Sequence, residues 1–259
     1  MPGTMNMARD EALFTLYPQK NIPTLRVYQW ESPCVSLGYF QKENQVLDLE
    51  FMSEHKIPFV RRITGGAAIL HHQEITYSLC LCCDDLDLSG SVKQSFKKLT
   101  SFLLEFYRSL GLEALYASDV PGHVSRPFCD LCFSTNEDFD IMVEGKKLGG
   151  NAQKRKKKYI FQHGSIPLSF DLELLKKTIK NVPPDIKEKT HALNDLIPGK
   201  YTVKELISLL VNSFLADFGL EKAEIPFSEK ESIWMEKLLT TKYTLDSWNF
   251  THGKTGLAE

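Results

Sequence analysis

The most regular pattern in the chain spans residues 91–110, where Val92, Phe96, Leu99, Leu103, Phe106 and Leu110 recur at three- and four-residue spacings. That period predicts an amphipathic helix, closed by Gly111 just past its last turn. Elsewhere, alternation with period two dominates. Residues 24–30 (TLRVYQW) read as a strand, Ser32-Pro33 breaks it, and residues 35–39 resume extended chain. Residues 58–81 hold two β-rich runs about Thr64-Gly65-Gly66, which predicts strand, glycine turn, strand. Further on, Phe139, Ile141 and Val143 alternate with Asp138, Asp140 and Met142, and Glu144-Gly145 supplies a turn. A hairpin is therefore expected to present Lys146, Lys147 and Gly149-Gly150-Asn151.

Shorter helices fill the gaps. One is expected over residues 6–17, with Asn6 as N-cap, Asp10 and Glu11 near its positive end and Pro18 as its stop. Others are expected over 48–56 and 172–180, and two more open at the capping boxes Thr202-x-x-Glu205 and Ser228-x-x-Glu231, the first ending at Gly219. Strands and helices come mixed, with hairpin-length gaps and no repeated βαβ unit, so the class is α+β, not doubly wound α/β. The weakest joint lies between Pro183 and Gly199. One domain over residues 1–259 is expected, with residues 171–259 as a small helical C-terminal subdomain.

Composition narrows the function. With 31 Lys and Arg against 33 Asp and Glu, no global field draws the chain to nucleic acid or to a membrane surface. No apolar run reaches the roughly 18 residues a membrane span needs, and no secretory signal opens the chain, so a cytoplasmic location is expected. Six cysteines in 259 residues are too sparse for a disulfide framework. Cys80, Cys82 and Cys83 fit small buried hydrophobes, and Cys80 and Cys82 share one strand face; Cys129-x-x-Cys132 leaves a zinc reading open.

Three constellations carry candidate chemistry. Arg61-Arg62 ahead of Gly65-Gly66 could neutralise an anion while turn amides hold its oxygens, although paired glycines more often serve a tight turn alone. In His71-His72, alternation points one ring inward and one outward. Cys132 lies close in sequence to the lysines of the expected hairpin, and a nearby ammonium lowers a thiol pKa toward the reactive thiolate. The run Lys154-Arg155-Lys156-Lys157-Lys158 is either a solvated hairpin end or a landing patch for an acidic partner.

Taken together, Asn6-Met-Ala-x-Asp-Glu-Ala12, Leu25-Arg-x-Tyr-x-Trp30, Ser36-Leu-Gly-Tyr-Phe-Gln41, Arg61-Arg-x-Thr-Gly-Gly66, Gly145-Lys-Lys-Leu-Gly-Gly-Asn-Ala-Gln153 and Gln162-His-Gly-Ser165 resemble the lipoate-protein ligase and octanoyltransferase family. The order and spacing hold up to Lys242-Tyr243 and Trp248-Asn249-Phe250. The resemblance implies the biotin/lipoyl protein ligase catalytic fold, mixed sheets flanked by helices. Within the family, His71-x-x-Glu74-x-Thr76-Tyr77-Ser78 and Cys132-Phe133 resemble the cysteine-dependent octanoyltransferases, and only residues 251–259 follow Phe250 where many ligases carry an accessory domain. Two departures stand out: Ala67 follows Gly66 where relatives carry arginine or a third glycine, and the strand that relatives place before the Asn6 motif is expected to be truncated or lost.

What the resemblance implies is octanoyl transfer from octanoyl acyl carrier protein to a lysine of a lipoyl-domain protein such as glycine cleavage H protein, through an acyl-thioester on Cys132. Lys147 would hold the acyl carbonyl oxygen, while Arg62, Thr64, Gly65, Gly66, His71, Gly149 and Gly150 would line the acyl site. No metal or cofactor is expected. An ATP- and magnesium-dependent lipoate ligase, relay amidotransfer between lipoyl domains, and a non-enzymatic zinc or binding module are the alternatives.

Overall fold

A computed structural model describes residues 1–86, 88, 92–122 and 138–250. Its strands, in chain order, are β1 (Thr24–Tyr28), β2 (Cys34–Leu37), β3 (Phe59–Arg61), β4 (Ile69–His71), β5 (Glu74–Cys82), β6 (Ala114–Tyr116), β7 (Ile141–Val143), β8 (Lys146–Lys147), β9 (Gly150–Lys156) and β10 (Tyr159–Pro167). Its helices are α1 (Gly3–Lys20), α2 (Glu43–Val46), α3 (Leu49–Glu54), α4 (Val92–Ser109), α5 (Leu172–Thr178), α6 (Ile186–Lys189), α7 (Leu193–Leu196), α8 (Val203–Phe218), α9 (Glu229–Leu238) and α10 (Asp246–Asn249). The strands form an antiparallel sheet β1-β5-β10-β9 and two three-stranded sheets, β3-β2-β4 and β6-β7-β8.

Strand β5 organises the large sheet because it is buried at every position. Ile75, Tyr77, Leu79 and Leu81 pack in one core with Leu99, Phe102 and Phe106 of α4 and Leu210 and Phe214 of α8. On the opposite face, Cys80 and Cys82 join α1, Phe161 and Cys34 in a second core. Burial pushes their thiols up, that of Cys34 to about 12 with the Glu74 charge adding to it. The small sheet β3-β2-β4 makes a third core with α3 and α5 through Val35, Leu37, Ile69, Met52 and Leu175.

Local signals set several helix ends. Helix α4 takes the expected span, with Gly111 at φ +84 beyond it. Both capping boxes form, and Gly219 at φ +62 closes α8. Helix α8 lies on α4, α9 lies on α1, and α10 lies on β3.

Two expectations about the first helix are corrected. Helix α1 starts at Gly3, with no side-chain cap, and runs through Pro18 to Lys20, where Asn21 at φ +49 ends it. Asn6 and Asp10 are buried because distant partners claim them: Arg26 donates to Asn6 Oδ1 and Asp10 Oδ1 at 2.6 Å each, and Tyr28 and Ser78 donate to Asp10 at 2.8 Å. Pro18 is tolerated because it falls in the last turn and interrupts one backbone bond only. Strand, glycine turn, strand holds for residues 59–71, but the two strands do not pair with each other. Strand β3 pairs parallel with β2, and β4 pairs antiparallel with the other edge of β2, so residues 62–68 cross over β2.

The crossing and the C-terminal segment are joined by Arg61, which is fully buried. Its guanidinium donates to the carbonyls of Gly38, Tyr39 and Gln41 and to those of Trp248 and Asn249, and it pairs with Glu43 at 3.3 Å. Trp248 Nε1–H donates to the Arg61 carbonyl, and Asn249 Oδ1 accepts the Arg61 backbone N–H. Arg61 is thus a clamp inside the protein. Replacing it should strand those carbonyls, so Arg61→Ala is expected to lose about 3–5 kcal/mol of stability. Urea unfolding monitored by tryptophan fluorescence checks this; a loss below about 1 kcal/mol would contradict the clamp.

Candidate active site

Four side-by-side positions on the large sheet build the floor of a cleft. The pairings Tyr28↔Thr76, Thr76↔Ser165 and Ser165↔Gly150 place these residues in one row across β1, β5, β10 and β9. The facing wall comes from the small sheet, where Ser36 pairs with Ile69, and Ile69 and His71 share a strand face. Arg62 and Gly66 of the crossing and Met7 of α1 complete a cleft enclosing about 400 Å³, its open mouth included. Trp30, Asn151, Ala152, His163 and Gly164 also line it.

Two buried bridges tie floor to wall. The Glu74 carboxylate accepts His71 Nδ1–H at 2.8 Å, Ser165 Oγ–H at 2.6 Å and the Thr76 hydroxyl. Burial pushes the Glu74 carboxyl up, but the charge at His71 and these hydrogen bonds outweigh it and leave it below its ordinary value. The ring of His71 stacks on Trp30 at 3.8 Å, and its Nε2 lies 2.7 Å from Ser36 Oγ. At the second bridge, His163 Nε2 meets Thr64 Oγ1 at 2.7 Å. Thr64 Oγ1 also accepts Arg62 Nε–H at 3.1 Å, so the hydroxyl links His163 to the Arg62 guanidinium. Burial, with Arg62 and His71 adding to it, holds the His163 pKa well below the usual imidazole value.

The guanidinium of Arg62 is engaged within the protein on all sides. Its Nη1 donates to the carbonyl and hydroxyl of Ser36, and its Nη2 to the carbonyls of Gly65 and Ala67 at 2.8 Å each. A side chain at Gly66, φ +89, would place a Cβ 3.0 Å from Arg62 Nη2. A Cβ at Gly38 would sit 1.8 Å from the Gly66 carbonyl oxygen, so two glycines are required where these loops touch. Gly65 carries its carbonyl to Arg62 from outside the lining.

Lys147 stands on the third sheet, buried, with Nζ 2.7 Å from Asp140 Oδ2 across the hairpin. The turn Glu144-Gly145, at φ +50 and +76, is the two-residue turn expected there. Three residues later Gly150 reaches the cleft. Gly149 makes that passage at φ +90, where a Cβ would lie 2.5 Å from the Ser165 carbonyl oxygen. Cys132 and Cys129 lie outside the described residues. Thus Arg62, Gly66, His71 and Gly150 gather at one cleft, with Thr64 behind His163, Gly65 and Gly149 in its supporting loops and Lys147 on the adjoining hairpin. Glu74, Ser165 and His163 were not among the expected site residues, although each stands inside a quoted motif.

A glycine-crossed cleft between a four-stranded and a three-stranded sheet, flanked by helices, defines the biotin/lipoate ligase catalytic fold. Two solved structures share it with a TM-score of 0.80 and 26% identity: a putative lipoate protein ligase from T. acidophilum with bound lipoic acid, covering 97% of this chain and 96% of its own, and a lipoate-protein ligase A bound with ATP, covering 96% and 95%. The Lipoyl protein ligase A/B catalytic domain model matches residues 2–215, and the chain belongs to that family. Octanoyltransferase LipM of Geobacillus kaustophilus (strain HTA426) is 34% identical over 96% of this chain and 94% of its own, and that of Bacillus subtilis (strain 168) is 31% identical over 95% and 93%.

Neutral, buried His163 gives a pH signature. The unfolded chain binds its proton below about pH 6.5 and the folded chain does not, so stability should fall as pH drops through 6.5, by up to about 1.4 kcal/mol per unit. His163→Gln, which keeps an acceptor toward Thr64, is expected to remove that part of the slope between pH 7.5 and 5.5 in urea melts. An unchanged slope would place the proton elsewhere. Depressed Glu74 acts separately, its contribution being lost only as pH falls below the ordinary carboxylate range.

Proposed function

We propose that this protein is an octanoyltransferase that loads lipoyl-domain proteins from octanoyl acyl carrier protein through Cys132. In the first half-reaction the Cys132 thiolate attacks the thioester carbonyl, and the carrier's thiol leaves as the acyl-enzyme thioester forms. In the second, the ε-amine of a lipoyl-domain lysine, with glycine cleavage H protein as the acceptor, attacks that thioester. The product is an amide, and the Cys132 thiol is regained. An oxyanion develops in both steps, and the Lys147 ammonium is the group assigned to stabilise it.

The observation that carries the reading is the glycine-walled cleft, which ends at Gly150 only three residues from a buried, ion-paired lysine. Met7, Ile69, Trp30 and Ala152 offer an acyl tail apolar contact, and the glycines let it pass close to backbone. Similarity to octanoyltransferases over nearly the whole chain supports the same reading. The ligase reading rests on the 26% identical ATP-bound neighbour. Against it, the guanidinium groups of Arg61 and Arg62 are both engaged with protein oxygens and do not face a nucleotide phosphate.

The test is intact-mass analysis after mixing the protein with octanoyl acyl carrier protein without ATP. Wild type should gain one octanoyl group and Cys132→Ala none, while Lys147→Met should slow acylation by about 10²-fold or more. Pyrophosphate release and ATP-dependent loading of free lipoate that survives Cys132→Ala would establish the ligase instead. Stoichiometric zinc on Cys129 and Cys132 would remove the nucleophile.

A further inference from the structure

The hairpin of β9 and β10 carries its charge at one end. Near the cleft β9 reads Gly150-Asn151-Ala152-Gln153, and toward the turn it reads Lys154-Arg155-Lys156, followed by Lys157 and Lys158. Three different duties divide this run. Arg155 turns to the α4 side, where it bonds Gln153 and Ser95, and Lys158 pairs with Asp84 at 2.7 Å. Lys154 faces the cleft side of the sheet, because its neighbour in the same direction is Ala152 and its Nζ lies 5.6 Å from the centre of the Tyr39 ring. Lys156 follows on that side by alternation, and Lys157 occupies the turn at φ +55, both exposed.

Tyr39 continues this surface into the loop that the Arg61 clamp holds. Next to it Phe40 is 79% exposed and packs edge-on against Tyr39 at 4.8 Å. A large aromatic this exposed on a clamped loop, with Lys42 two residues on and Lys154 over the neighbouring Tyr39 ring, is an apolar anchor beside basic groups, and Lys156 and Lys157 continue the charge along the hairpin. Lysines along an edge strand also discourage sheet-to-sheet pairing. That role does not require the charge to continue into the turn or to lie beside an exposed phenylalanine.

We propose that Phe40 and the β9–β10 hairpin end form the docking surface for the acyl donor, an acidic carrier protein bearing the acyl group on a long prosthetic arm; this rests on the transferase reading above. Reach selects the donor over the acceptor. From Lys154, where the cleft-side charge begins, back to Lys147 beside the acyl carbonyl is seven residues, at most about 23 Å at roughly 3.3 Å per residue. An extended pantetheine phosphate arm spans a gap of that order. A lysine side chain does not, so the acceptor domain must present its lysine at the cleft mouth itself. The charge matches as well, since a chain of formal net charge −2 attracts an acidic carrier only where its basic groups are concentrated.

The experiment compares two donors on the full chain, octanoyl acyl carrier protein and octanoyl pantetheine, with a lipoyl domain as acceptor. Lys156→Glu/Lys157→Glu and, separately, Phe40→Ala should each raise KM for the carrier-borne donor, the double variant roughly tenfold or more. KM for the lipoyl domain and kcat/KM for octanoyl pantetheine should stay at wild-type values, which also shows that the variants fold. Salt between 50 and 300 mM should weaken only the carrier reaction of wild type. Equal losses with both donors, a raised KM for the lipoyl domain instead, or no change with either would overturn the docking surface. Wild type that accepts octanoyl from neither donor would instead overturn the transferase reading, and the docking surface with it.

Discussion

The spacing of the cleft depends on one buried carboxylate. Glu74 lies on the central strand of the large sheet, yet it binds His71 of the small sheet together with Thr76 and Ser165 of its own. A charge in that position is costly unless every lone pair finds a donor, so the two sheets are held at the separation that lets all three donors reach it. His71 is fixed from its other side by Ser36 and from its face by Trp30. The Thr64–His163 bond sets the same separation at a second point. Two such bridges fix the separation of the cleft walls before anything binds, which lowers the ordering cost of binding there.

Around that slot, the two adjacent arginines divide the work of support. Arg62 draws the crossing loop onto β2 by its carbonyls, and Arg61, pointing the other way from the next position, draws the 38–41 loop and the C-terminal helix α10 together. Alternation along a strand explains how neighbours of identical chemistry serve opposite sides. The sequence-based expectation that both neutralise a substrate anion counted their charge but not their directions.

Legibility followed how local each signal is. Helix α4 and the two capping boxes were readable because their cause lies within a few residues. The start of helix α1 was not, because Asn6 and Asp10 look like cap residues until Arg26, Tyr28 and Ser78 are brought to them by the fold, and its end was not, because Pro18 reads as a stop although the last turn tolerates it. The crossing over β2 was invisible for a similar reason: parallel pairing of residues 35–37 with residues 59–61 leaves no mark in either segment. At the cleft, Gly66, His71 and Gly150 were named through the family resemblance, since paired glycines and a lone histidine point to no site by themselves. Asp140, Glu74, Ser165 and His163 were not, because a polar residue in an alternating strand reads as solvent-facing. Here both faces of β5 and β10 are covered, and the polar side chains bond one another across the slot.

The central claim is that the acyl chain occupies the slot between the bridges with its carbonyl beside Lys147. The most direct measurement is a crystal structure of wild type alkylated with an octanoyl-derived chloromethyl ketone. The account predicts the adduct on Cys132, the alkyl chain between Gly66 and Ile69 on one side and Gly150 and Gly164 on the other, and the ketone oxygen within hydrogen-bond distance of Lys147 Nζ. An alkyl chain lying outside the slot, or a ketone remote from Lys147 Nζ, would contradict it.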